Sequence, residues 1–253
     1  GECNWIPTEP NEGNFETPCE KITASNTVAR EFISKPKAST RKTEITATLS
    51  TDSEEKGFSY GVDSSGNEQV TGVKIGVGGN AVDVEVTNPS FTIIGVAHTH
   101  TPSVYNVPSV GDLYNMYKAR SENPNFNFYH TFAEGGNDYV FTIVDLAKFN
   151  VFDSNFPKAM YLDGAKWKDG TSIGNDFKYI KDQQIKSGKT DDEAFDMAMA
   201  FVLKKYGTGI AMSKKDASGN YEPFFVKEQA VPFVTSTGTI FVKIYTKTTD
   251  CNY

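Results

Sequence analysis

The chain has 253 residues, of which 38% are hydrophobic and 23% charged, and its formal net charge is −7. A chain of this length can bury a sizeable core, as one large domain with decorations. No apolar run approaches the roughly 18 residues of a spanning helix, which argues against a membrane span, and Lys and Arg are scattered among Asp and Glu without the basic stripe that a nucleic-acid partner requires.

Residues 1–21 are rich in Pro, Asn and Glu, show no periodicity, and read as an irregular arm pinned by Cys19 or Trp5. Residues 22–34 suit a short helix with Ala29, Phe32 and Ile33 on one side. In 43–50 (TEITATLS) the alternation of Ile45, Ala47 and Leu49 predicts a strand. GFSYGVD (57–63), the turn signal SSGN, then QVTGVKIGV and AVDVEV predict successive antiparallel strands. FTIIGVAH (91–98) is an apolar, β-branched run that suits a central strand buried on both faces. After a loop with Pro102 and Pro108, SVGDLYNMYKARSE predicts a helix whose apolar stripe runs through Leu113, Met116 and Tyr117.

Residues 126–133 and 138–146, separated by EGGN, predict a hairpin. Beyond it lie an expected loop through 151–173, a helix around 189–206 ended by Gly207, and a hairpin pair near 208–247. The fold class is therefore α+β, a mixed and mainly antiparallel sheet with flanking helices. It divides into an arm (1–21), a core domain (22–150) and a C-terminal helix-and-hairpin extension (151–253).

The three cysteines, Cys3, Cys19 and Cys251, lie at the extremes of the chain, where a disulfide would tie down segments that otherwise fray. One pair can close, and the sequence leaves open which. With no initiator Met and no apolar leader, the sequence reads as a mature exported protein, secreted, periplasmic or at the cell surface. A cytosolic protein with three free thiols is the alternative.

His98 and His100 stand two apart at the end of the central strand, so the strand period points both imidazoles to one side. Asp112, in the first turn of the following helix, would complete a two-His, one-Asp set with a fourth position left to water. That is the arrangement by which zinc activates water and polarises a carbonyl. Such a site needs a general base, and Glu54 and Glu55, just ahead of GFSYG, are the candidates.

A Glu before a Gly-hydrophobic-x-x-Gly strand, then His98-Thr99-His100, then Ser109-Val110-Gly111-Asp112, resembles the signature of the JAMM (JAB/MPN-type) zinc metallopeptidases over residues 43–147. The resemblance implies a JAB/MPN-like, cytidine-deaminase-like architecture, Zn²⁺ on His98, His100 and Asp112, Glu54 as general base and Ser109 as oxyanion stabiliser. Its implied activity is hydrolysis of amide or isopeptide bonds in a peptide, protein or cell-wall substrate. Eight residues (TPSVYNVP) separate His100 from Ser109, one more than the family's usual spacing.

Simpler accounts exist for each piece. His-x-His alone is common on strands, and Ser109-x-x-Asp112 also reads as a helix-capping box. His130 reads as structural, and Glu68 and Glu85 as solvent-facing. Two other functions compete with hydrolysis: an inactive JAMM-like binding or adhesion module, and a two-His-one-carboxylate iron oxygenase, whose usual His-x-Asp/Glu spacing is missing.

Overall fold

In the computed structural model, residues 17–78 and 81–251 are described. Most of the expected arm, with Cys3 and Trp5, lies outside the described residues.

The first helix, α1 (Pro18–Ile33), begins earlier than its apolar side suggests. Thr17 and Glu20 form a capping box, and Pro18 occupies the first turn, where its missing N–H costs nothing. The second, α2 (Pro36–Thr46), replaces part of the strand expected over 43–50, and a 3₁₀ turn follows at Leu49–Thr51. An alternating strand would bury Ala47, yet Ala47 is exposed while Ala38 and Ile45, seven apart and on one helical face, are fully buried. Pro36 at the start of the helix and that buried face outweigh three alternating positions.

The strands β1 (Lys56–Val62), β2 (Glu68–Val70) and β3 (Lys74–Ile75) follow the expected order. The AVDVEV segment forms no ladder, although Val82, Val84 and Val86 still turn inward on alternate positions. Next come β4 (Thr92–Thr99), α3 (Val110–Glu122), β5 (Phe128–Ala133) and β6 (Asn137–Ile143). The α3 crossover makes β4 and β5 parallel, whereas β5 and β6 form the expected hairpin.

The loop expected through 151–173 is largely structured. It holds α4 (Leu146–Asn155), the single turn α5 (Lys158–Tyr161) and the small hairpin β7 (Leu162–Asp163) and β8 (Lys166–Trp167). Then α6 (Ser172–Lys186), which the sequence reading lacks, precedes α7 (Asp191–Lys205). Ile173, Ile180 and Gln184 repeat along one buried face of α6. The chain ends in β9 (Ile210–Lys215), β10 (Tyr221–Pro223) and the long hairpin β11 (Phe225–Thr235) and β12 (Gly238–Thr248).

The main sheet has eight strands in the order β10-β9-β6-β5-β4-β1-β2, with β3 also on β1. It is α+β, mixed and mostly antiparallel, with flanking helices. Strand β9 pairs with β6, so residues beyond 150 supply two strands of this sheet. One core cluster joins Phe32 of α1 and Ile45 of α2 to Phe58 and Phe132 of the sheet; the other joins Leu113 of α3 and Phe201 and Val202 of α7 to Phe141.

Cys19 is bonded to Cys251, tying α1 to the end of the chain. Such a bond persists in oxidising compartments and is compatible with a non-cytoplasmic protein. Among the described residues, no helix is long and apolar enough to cross a membrane.

Candidate metal centre

The site is built where β4 ends and α3 begins, at the carboxyl end of a strand with a parallel neighbour, a recurrent place for ligand crevices in sheets with helical crossovers. His98 near the end of β4 and His100 just past it have ring centroids 5.0 Å apart. Gly57 lies opposite His98 on β1, and a Cβ there would meet Ala97 O at 2.9 Å and His98 Cβ at 3.3 Å. Gly61 is tighter still, since a Cβ would fall 1.8 Å from Thr92 O. The two glycines of the GFSYG segment thus let β1 close against the histidine strand.

Each imidazole has its Nδ1 tied to a backbone carbonyl. His98 Nδ1 lies 2.8 Å from His130 O, and His100 Nδ1 lies 2.9 Å from Tyr105 O. A carbonyl only accepts, so both Nδ1 atoms carry the proton, and each Nε2 is left to present a lone pair to a metal. The Nε2 of His98 is buried and, among the described residues, makes no well-aligned hydrogen bond, its polar neighbour being Asp112 Oδ1 at 3.3 Å; such an atom is costly to bury unless something occupies its lone pair.

Asp112 faces both rings: Oδ1 is 3.3 Å from His98 Nε2 and Oδ2 is 3.2 Å from His100 Nε2. It also closes the capping box, accepting Ser109 N–H at 2.6 Å on Oδ2 and donating its own N–H to Ser109 Oγ at 3.1 Å. The cap therefore aims the carboxylate at the histidines instead of competing with them. Ligand atoms of His98, His100 and Asp112 all lie within 4.8 Å of one another, and this buried group could hold a metal ion.

Charge reinforces the geometry. Burial pushes the Asp112 carboxyl up, but the two imidazoles outweigh it and hold the group well below its usual range. Burial likewise pushes His100 down, and the hydrogen bond and charge of Asp112, with Glu55, raise it to about 9. Without metal, a proton on His100 Nε2 bridges to Asp112; a divalent cation would take that proton's place.

The structure brings Glu55 to this cluster and not Glu54. Glu55 is buried, with Oε1 3.9 Å from His100 Nε2, and burial raises its carboxyl despite the two histidines. The Glu54 carboxylate lies instead beside Gly76. The family spacing that selects Glu54 is thus met by its neighbour. Successive residues entering a strand alternate sides, so a slip of one residue exchanges the two.

Ser109 lies at the edge of the site, its Oγ already accepting a backbone N–H and its own proton available to donate. Tyr129 was not anticipated; its ring centroid is 5.0 Å from that of His98. Its signal is its place on β5, two residues before Thr131, the partner of His98 in the sheet. A cleft of about 1130 Å³ opens over Glu55, His100, Ser109, Asp112 and Tyr129.

No family model matches the chain, and comparison with curated proteins and with solved structures returned no similar protein.

Proposed function

We propose that this protein is a zinc-dependent hydrolase of amide or isopeptide bonds, built on a JAMM-like site and acting outside the cytoplasm, secreted, periplasmic or at the cell surface. One observation carries the reading: two Nδ1-anchored imidazoles and a helix-capping carboxylate converge on one point beside a large cleft that His100 and Asp112 line. Two nitrogens and one carboxylate, with an open side toward the cleft, suit catalytic zinc. Bound there, zinc would supply a Lewis acid and a water of lowered pKa.

The chain's own groups supply the remaining chemistry. Glu55, its carboxyl raised by burial, is poised to take a proton from the attacking water and return it to the leaving amine. Ser109 donates its hydroxyl proton toward the charge that develops on the carbonyl oxygen. The cleft has room for several residues of an extended peptide, which supports a peptide or protein substrate.

A second reading, a binding or adhesion module without turnover, is favoured by the β11–β12 tip, where Phe233, Val234, Ile240 and Phe241 are exposed. The two readings part at Glu55. Glu55→Gln should retain zinc and lower the rate on an amide substrate by about 10²–10⁴-fold, because an amide cannot accept the proton, while Glu54→Gln should alter neither. Zinc binding without turnover in the unaltered protein would select the binding module.

A further inference from the structure

The two histidines are oriented by supports of different kinds. The His130 carbonyl that holds His98 belongs to β5, in the middle of the sheet, where ladder hydrogen bonds fix it on both sides. The Tyr105 carbonyl that holds His100 belongs to the Pro-bounded loop between β4 and α3, which is part of no ladder and carries the extra residue. A loop carbonyl fixes a ring only as well as the loop is fixed.

That loop is anchored from outside, by α6 and α7 of the C-terminal hundred residues. Asn106 donates through Nδ2 to Asp192 Oδ2 at 2.7 Å and through its backbone N–H to Asp192 Oδ1 at 3.3 Å. The Tyr105 ring lies 4.9 Å from that of Phe195, and Lys181 Nζ reaches the Tyr105 hydroxyl at 2.9 Å. Asp192 sits in the first turn of α7 but does not cap it; Thr190 and Glu193 do that, which leaves both Asp192 oxygens for Asn106.

We propose that α6 and α7 act as a strut for the metal centre, with Asp192 and Asn106 as positioning residues that set its metal affinity through the Tyr105 carbonyl and His100. This rests on the metal-site reading above and extends it to the region beyond residue 150. Groups that orient a metal-binding histidine contribute about 10–100-fold to affinity.

The test uses the full chain and zinc alone. Zinc Kd is measured by competition calorimetry for the unaltered protein, Asp192→Ala, Asn106→Ala and the double variant, with Asp191→Ala as the neighbouring control. Each single variant should weaken zinc by about 10–100-fold. The double variant should be no weaker than the worse single one, because both act through one contact. Visible spectra of the cobalt-substituted proteins should show the same change of coordination in all three, a readout that general destabilisation would not produce. Asp191→Ala should match the unaltered protein.

Should an alanine variant fail to fold, Asp192→Asn, which keeps one acceptor oxygen for Asn106, takes its place with a smaller loss expected. If the unaltered protein binds zinc and the variants match it in both Kd and spectrum, the strut is refuted while the metal site stands. If the unaltered protein binds no zinc, the metal site and the strut fall together.

Discussion

Of the protein's three histidines, His98 on β4 and His130 on β5 lie on adjacent strands and His100 stands just past the end of β4, and the two faces of the sheet use them differently. His130 points toward α1, its Nε2 2.9 Å from Tyr60 Oη and its Nδ1 3.1 Å from Tyr221 Oη. Both nitrogens are satisfied by hydroxyls, and burial, with the charge of Lys42, pushes its pKa down to about 3, so the ring is neutral. His98 and His100 point to the other face, where each ring has only its Nδ1 bound by a backbone carbonyl and a carboxylate stands before the Nε2 atoms. All three are almost fully buried, so burial does not distinguish a structural histidine from one that could hold a metal. What does is the partner of the second nitrogen, a neutral hydroxyl in one case and a shared, charge-compensated point in the other.

Two substitutions should break this contrast in opposite ways. His100→Ala removes a ligand and should weaken zinc by more than about 100-fold, beyond the loss expected for an orienting partner, while the zinc-free fold persists. His130→Phe leaves the Tyr60 and Tyr221 hydroxyls unpaired in the core and should cost about 1–3 kcal/mol of stability in urea unfolding, with zinc affinity nearly unchanged because the His130 carbonyl remains. If His130→Phe abolished zinc binding with little loss of stability, the division between the two faces would be wrong.

The same contrast has a sign in pH. The fold keeps His130 neutral down to about 3 against an ordinary value of 6.5, so it opposes folding as pH falls below 6.5. His100 is raised to about 9, so in the zinc-free protein it contributes stability that is fully present below 6.5 and is lost as pH rises through 9. Zinc must displace the His100 proton, so zinc affinity should climb with pH and level off above about 9. A calorimetric series across this range that shows flat affinity would mean that His100 carries no such proton.

Much of the site was legible because its parts are local. His98 and His100 share a face by the period of a strand, and Ser109 and Asp112 share a turn by the geometry of a helix start. The capping box and the metal site looked like rival accounts of Asp112, but one carboxylate both closes the box and faces the two imidazoles. The choice between Glu54 and Glu55 was not legible, because the entry into β1 decides which side each residue faces and a motif spacing does not see it.

The supports of the site were hidden for the same reason, being backbone carbonyls of His130 and Tyr105 brought near by tertiary structure. Elsewhere, α2 was masked by a chance alternation around Ala47. Leu146, assigned to the end of a strand, in fact opens α4, where Phe149 stacks on Tyr117 with centroids 4.2 Å apart. In α6, only a few apolar residues carry the buried face, and Gly174 near its start weakens the local helix preference.

The central claim, a metal site made by His98, His100 and Asp112, is tested most directly by metal analysis of the full chain purified without chelator, beside Asp112→Ala prepared in the same way. The unaltered protein should carry about one zinc per chain and the variant close to none, with both folded by circular dichroism. Absence of zinc from the unaltered protein, with none taken up on addition, would contradict the account and leave Asp112 as a helix cap beside two buried histidines.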